Sequence, residues 1–379
     1  MMSERIDWTK LDWREELRHN ITSVAQLKKH LALSEREERE IAGVSELFPV
    51  NIPRYYLSLI DRDDPSDPIR RMCFPSRAEL VVAGAMGETN DPYGDDKHDQ
   101  GNGVLQKYDY SVLIVTTESC AMFCRHCFRR RIVGRKTEHT MQDFAAAVEY
   151  VAAHKAVTNV ILSGGDPLML PTPRLRKLLM ALAEIEHLGF VRLGTRTPVT
   201  YPCRLFESEL LELFREFVER KALYIPTHFN HVREITPTAA EAVRRLRRTG
   251  ATVNNQAVLL RGVNDRPEDI KALMDGLLRI GVNPYYLYQC MPVSGVSHHF
   301  QVPLRRGVEI VDAARQAMDG YAKRFKFIIG HDVGKLEICG LVDDKLVLKQ
   351  IHARSGHTAQ ASRLILHPIG EDDGWVELE

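Results

Sequence analysis

"YSVLIVTTESCAMFCRHCF" (residues 110–128) is a short apolar run that turns polar at its end and opens into a loop with cysteines at 120, 124 and 127. The run, "YSVLIVTT", has the length and β-branched content of a buried strand. The same rhythm repeats downstream. "VTNVILSGG" (157–165), "FVRLGTRT" (190–197), "ALYIPTHF" (222–229), "TVNNQAVLL" (252–260) and "NPYYLYQC" (283–290) read as strands. Between them lie "MQDFAAAVEYVAAH" (141–154), "PRLRKLLMALAEI" (173–185), "TAAEAVRRLRRTG" (238–250) and "PEDIKALMDGLLRIG" (267–281), with the apolar spacing of amphipathic helices. Such alternation predicts a parallel sheet covered by helices. Polar residues gather at the C-terminal ends of the strands, where α/β folds place their sites, and this favours an enzyme.

The flanks differ. Residues 1 to about 105 read as a helical region, with caps expected at Ser23 and Ser34, interrupted by the turn-rich and exposed-looking "DRDDPSDP" (61–68) and "ETNDPYGDDKHDQGNG" (88–103). The expected organisation is a helical region over 1–105, an α/β unit over 106–335, and an extension over 336–379 with short strands such as "DKLVLKQIHARS" (344–355).

Lys plus Arg and Asp plus Glu are both 51 in the 379 residues. This balance gives no electrostatic case for nucleic acid or an anionic membrane as partner. No run approaches the roughly 18 apolar residues of a membrane span, and "MMSERIDWTKLDWREEL" lacks a signal peptide's apolar stretch. A soluble cytoplasmic protein is expected. Seven cysteines, of which only the central three cluster, argue against a disulfide framework.

Three closely spaced thiolates suit a soft metal site. Four cysteines normally complete a [4Fe–4S] centre, so three would leave one iron open for a ligand. The competing chemistry is a structural zinc site completed by His126 or a distant residue, although such sites usually use two separated ligand pairs.

The Cx3Cx2C loop after a first strand resembles the signature of radical S-adenosylmethionine (SAM) enzymes, and "LSGGDPL" (162–168) resembles their glycine-rich motif. "YYLSLIDRDDPSDPIRR" (55–71), "CRHCFRRR" (124–131), "RLGTRTPV" (192–199), "THFNH" (227–231), "NNQAVLLRGVND" (254–265) and "PYYLYQC" (284–290) extend the likeness, in order, to the lysine 2,3-aminomutase family. The resemblance implies a partial (β/α)6 radical SAM barrel with a helical N-terminal region and a short C-terminal extension. It also implies a [4Fe–4S] cluster, SAM, pyridoxal 5′-phosphate (PLP), a reducing electron donor and an amino-acid substrate whose amino group moves from the α to the β carbon.

Carried onto this chain, the resemblance gives Cys120, Cys124 and Cys127 to the cluster, and Ser163, Gly164, Gly165, Asp166, Arg196, His228 and Asn230 to the SAM pocket. Arg129 would hold the substrate carboxylate, Gln256 and Tyr288 would line the PLP and substrate region, and Lys335 would carry PLP.

The chain also departs from the pattern. Met291 stands where lysine-specific enzymes have an aspartate that binds the distal ammonium, and their second aspartate falls near Gly330. Free lysine is therefore a poor candidate substrate; Asp332 is a possible substitute partner. Ser111 stands where an arginine helps bind PLP phosphate, leaving Lys107 nearby, and "HDVGK" (331–335) is shorter than the family's glycine run. Arg266 replaces a zinc-binding cysteine of the family's inter-subunit clamp, which weakens the expectation of a homo-oligomer. Two functions follow: a PLP-dependent aminomutase on an amino acid other than free lysine, or a PLP-independent epimerase, dehydrogenase or other rearranging enzyme on the same scaffold.

Overall fold

A computed structural model describes residues 6–81, 87–135, 144–355 and 363–378. One sheet of eleven strands runs through it in sequence order. The strands are β1 (Val104–Tyr108), β2 (Ser111–Thr117), β3 (Asn159–Gly164), β4 (Phe190–Leu193), β5 (Ala222–Thr227), β6 (Thr252–Leu259), β7 (Asn283–Gln289), β8 (Lys326–His331), β9 (Gly334–Val342), β10 (Lys345–Ala353) and β11 (Leu364–Pro368). From β2 to β8 every neighbouring pair is parallel. The β1–β2 pair and those from β8 onward are antiparallel.

Helices Ala145–Ala153, Thr172–Ala183, Ser208–Val218, Pro237–Arg247, Pro267–Arg279 and Leu304–Gln316 make the crossovers. Each of β2 to β7 is thus followed by a helix, as a (β/α)6 partial barrel requires. Proline at the start of the helices at 237 and 267 presets the first turn, and Thr236 caps the former by accepting from Ala239 N. The expected helix over 141–154 begins at Ala145, and residues 141–143 lie outside the described residues. The sequence reading overlooked Ser208–Val218 and Leu304–Gln316 as crossovers, and β8 as a seventh parallel strand.

The alternation within strands explains the cavity. On β6 the outward Val253, Asn255, Ala257 and Leu259 are buried, while Asn254 and Gln256 face a space inside the curved sheet. Asn159, Arg192 and Tyr224 line it from β3, β4 and β5. A packed barrel would fill these inward positions with branched apolar side chains; here they are polar or aromatic and leave about 560 Å³. Beyond β10, Ser355 N donates to Lys107 O at 2.9 Å, and Tyr110 Oη pairs with His352 Nδ1 at 2.5 Å. The C-terminal strands therefore return to the β1–β2 side and enclose the cavity.

Ser23 and Ser34 cap their helices as expected, Ser34 in a reciprocal capping box with Glu37. The N-terminal helices do more than cover the sheet. Asn51 Nδ2 donates to Cys120 O (3.0 Å), Asn20 Nδ2 to Ala121 O (2.8 Å), and Arg125 N to Met72 O (2.9 Å), so this region clamps the backbone of the cysteine loop. The two acidic stretches are not uniformly exposed: Asp67 is fully buried and Asp95 nearly so.

Candidate active site

The three cysteines leave β2 on a turn-rich loop over the C-terminal ends of the strands. Burial and the other thiols and Asp166 nearby push Cys120 well above the ordinary thiol range; burial and Cys124 push Cys127 to about 11. Arg196 Nη1 lies 2.8 Å from Cys124 Sγ, a cation placed against a ligand that must lose its proton to bind metal. Among the described residues no His, Cys, Asp or Glu side chains converge as a ligand set for one metal ion. Three thiols spread round one loop suit a cluster, where each takes a different iron, better than a zinc site finished by His126. His126 Nε2 instead pairs with Asn230 Nδ2 at 3.2 Å.

The glycines of "LSGGDPL" have a local steric reason. An added Cβ would lie 2.5 Å from Thr117 O at Gly164, whose φ is +114°, and 2.3 Å from Ser119 O at Gly165. Gly165 N donates to Thr117 O and Asp166 N to Ser119 O (2.8 Å), stitching the strand end to the segment that leads into Cys120. A Gly165→Ala protein is expected to displace this segment. Iron bound per chain after anaerobic reconstitution should fall below half the unmodified value; full iron content would contradict the assigned packing.

Asp166 accepts from Thr195 Oγ1 (2.7 Å), Arg196 N (2.9 Å), Thr197 Oγ1 (3.0 Å) and Leu168 N (3.0 Å). Its carboxylate fixes the turn carrying Arg196. Arg196 also donates to His228 O at 3.1 Å and pairs with buried Glu234 at 2.7 Å. Burial, with Arg196 adding to it, brings His228 down to about 4, so its ring is neutral near pH 7. Asn230 Oδ1 accepts from Val258 N at 2.8 Å. Ser163 Oγ lies 3.4 Å from Arg129 Nη1, at the junction of this group with the cavity.

The cavity joins Lys107, Arg129, Gln256 and Lys335, four of the residues singled out in the sequence. Burial, with the Arg192 and Lys107 cations adding to it, brings Lys335 down to about 7. Its Nζ lies 5.0 Å from the centre of the Tyr286 ring. Burial lowers Lys107 to about 8, opposed by Asp332 and Asp95. Lys107 Nζ donates to Tyr93 O (3.0 Å) and His331 O (2.8 Å), tying the β8–β9 turn to the loop before β1. Tyr288, expected to line this region, is not among the cavity's lining residues; it lies behind them among Tyr93, Tyr285 and Tyr286, where burial raises its hydroxyl.

Met291 and Asp332 do not line this cavity. Asp332 receives Lys97 Nζ at 3.1 Å and Arg354 Nη1 at 3.5 Å, so its charge is already matched. At Gly330 an added Cβ would lie 2.8 Å from Met291 Cε and 3.1 Å from the Tyr93 ring. Methionine and tyrosine thus fill the room that an aspartate at 330 would need.

Two site residues escaped the sequence reading. Asp95 pairs side-on with Arg129, Oδ2 to Nε at 2.8 Å and Oδ1 to Nη2 at 3.2 Å, which leaves the Nη1 edge toward Ser163. Arg192 projects into the cavity from β4. Asp95 sat in an acidic loop without a signal, whereas Arg192 lay in the strand "FVRLGTRT" and opened the quoted "RLGTRTPV", where a charged side chain at an inward strand position was the signal passed over.

A sheet with a cysteine loop docked at its strand ends defines a radical SAM enzyme, and the model of the radical SAM superfamily matches residues 114–275. The L-lysine 2,3-aminomutase of Clostridium subterminale is 38% identical over 316 residues, 83% of this chain and 74% of the relative. That of Acetoanaerobium sticklandii is 36% identical over 316 residues, 83% and 74%. The glutamate 2,3-aminomutase of Clostridioides difficile is 36% identical over 317 residues, 83% and 73%. The chain belongs to the lysine 2,3-aminomutase family of radical SAM enzymes. It is an isomerase-type enzyme whose family uses a [4Fe–4S] cluster and SAM. Among the described residues no helix is long and apolar enough to cross a membrane.

Proposed function

We propose that this protein is a PLP-dependent 2,3-aminomutase whose substrate is an α-amino acid without a distal ammonium group. The observation that carries the proposal is Lys335: a lysine brought to about 7 inside a cavity of cofactor size, near Arg192 and Lys107. An ordinary lysine is protonated at neutral pH and cannot act as a nucleophile. About half of Lys335 would be free amine at pH 7, ready to join a carbonyl compound.

The cavity's residues fit PLP. Lys335 offers the amine, Gln256 and the tyrosines offer hydrogen bonds and ring contacts, and Arg192 with Lys107 offers positive charge for a phosphate. Asp95 is the one carboxylate lining the cavity among the described residues, and Arg129 takes it. When bound, the cluster and SAM supply a 5′-deoxyadenosyl radical, and PLP supplies a carbonyl that holds the migrating nitrogen.

The chain's own residues do the rest. Cys120, Cys124 and Cys127 hold the cluster beside the Arg196–Glu234 pair. The SAM pocket is built from Ser163, Gly164, Gly165, Asp166, Arg196, His228 and Asn230, with Asp166 fixing the turn that aims Arg196. Arg129, steadied by Asp95, presents its remaining edge to the substrate carboxylate, where a planar fork binds best. This places the substrate between the radical source and Lys335. Met291 stands behind the cavity wall, packed at Gly330 beside the lining residue Tyr93, and puts a thioether there in place of a charge.

Anaerobic turnover with SAM, PLP, a strong reductant and a panel of α-amino acids tests the proposal. The expected result is a β-amino isomer of unchanged mass from at least one acid without a distal ammonium. Lysine consumed better than every other acid would contradict the substrate class. 5′-Deoxyadenosine formed with an altered substrate but no isomerised amine would favour the PLP-independent alternative.

A further inference from the structure

Arg192 is a cavity-lining guanidinium without a carboxylate partner among the described residues, and burial lowers its pKa. Such a group ordinarily acquires an ion pair or faces an anion, because desolvating a charge is costly. Its Nη2 donates to Ser111 Oγ at 2.6 Å and also to Asn159 Oδ1. Asn159 is itself oriented by donating Nδ2 to Tyr110 O at 3.0 Å. Both partners are neutral and serve as acceptors, so they position the guanidinium without cancelling its charge.

The donors left over point to a ligand. Arg192 Nε is buried with no hydrogen-bond partner, and leaving such a donor unmade carries a desolvation penalty. Ser111 accepts from Arg192 and still has its own hydroxyl proton to give. The three residues come from the starts of β2 and β3 and from the middle of the short β4. They lie in the same cavity as Lys335, whose amine feels the Arg192 charge.

We propose that Arg192, held by Ser111 and Asn159, forms an anion subsite that takes the phosphate of PLP while Lys335 takes its carbonyl end. The proposal rests on the PLP-dependent function above and adds where the phosphate sits. A phosphate group matches the chemistry better than a lone carboxylate would. It carries three acceptor oxygens, enough for Arg192 Nη1, which makes no hydrogen bond among the described residues, and for the Ser111 hydroxyl together. Lys107 adds a second positive charge but is engaged by two carbonyls.

The test compares PLP with pyridoxal, which has the same carbonyl and no phosphate. Cluster-loaded protein is titrated with each compound, reduced with borohydride, and the pyridoxyl group on Lys335 is quantified by peptide mass spectrometry. In the unmodified protein PLP should label at concentrations about 10–100-fold lower than pyridoxal. Arg192→Met should remove most of that difference, read as the ratio of PLP to pyridoxal labelling within the same protein because loss of the Arg192 charge alters Lys335 toward both compounds alike, while Ser111→Ala should remove a smaller part. Inorganic phosphate should compete with PLP, but not with pyridoxal, in the unmodified protein, a readout that needs no substitution.

Arg192→Met protein that labels with pyridoxal yet still prefers PLP by the unmodified factor would overturn the subsite and leave the PLP-dependent function standing. Such a result would assign Arg192 to another anion, such as a substrate carboxylate. Absence of labelling by either compound in the unmodified protein would overturn both. Pyridoxal labelling of the variant also shows that its cavity is folded.

Discussion

Lys335→Ala is expected to lower amino-group migration by on the order of 10⁴-fold or more, with reductive cleavage of SAM to 5′-deoxyadenosine still measurable. The size follows from the role: a nucleophile that joins the cofactor has no neighbour to replace it. Lys107 lies in the same cavity, but its Nζ is engaged by Tyr93 O and His331 O. Unfolding would not explain the loss. Lys335 falls from the ordinary lysine value near 10.4 to about 7 in the fold. Between those values the unfolded chain binds more protons, so this group's contribution to stability rises with pH across the window and is most unfavourable below it. The alanine variant without cofactor should therefore melt no lower than the unmodified protein at pH 7. Migration retained within tenfold would exclude Lys335 as the PLP lysine.

Met291→Asp combined with Gly330→Asp is expected to raise kcat/KM for free lysine by about 10²–10⁴-fold, through about 3–5 kcal/mol recovered at a buried ammonium. The pair must change together. Met291 Cε stands 2.8 Å from where a Cβ at 330 would lie, so Gly330→Asp alone meets the methionine. Replacing that side chain removes the shorter contact and adds a carboxylate, and the Tyr93 ring, 3.1 Å from the new Cβ, then has only to give by a few tenths of an ångström. The single Gly330→Asp variant should lose stability without gaining lysine turnover. Efficient lysine turnover by the unmodified protein would show that the distal end of the site has been misplaced.

Much of the scaffold could be read directly. Six parallel strands and four of their crossover helices rest on local patterns, β-branched runs and helical apolar spacing, and the caps Ser23 and Ser34 mark two helices of the N-terminal region. "KFIIGH" (326–331) was overlooked as a parallel strand because it is short and passes almost at once into the β9 hairpin. Lys335 therefore sits on an antiparallel strand that folds back along β8, with Gly330 as its partner in register. The position of Lys335 and the local glycines were legible; its company was not. Asp95 meets Arg129 across 34 residues, Asn51 meets Cys120 across 69, and Arg192 meets Ser111 across 81. Such pairings depend on the shear and closure of the sheet, which no local pattern encodes. The glycines of "LSGGDPL" show a related gap. Their likeness to the glycine-rich motif was legible, whereas their packing against the protein's own Thr117–Ser119 segment was not.

Incubating cluster-loaded protein with PLP, reducing with borohydride and mapping the peptides is the most direct measurement. A pyridoxyl group should appear on Lys335 and be missing in Lys335→Ala. Its rate of formation should fall about tenfold per pH unit below the midpoint near 7 and level off above it, as the neutral amine requires. A protein that cleaves SAM on reduction yet never carries a pyridoxyl group on Lys335 would contradict the assignment of this cavity to PLP.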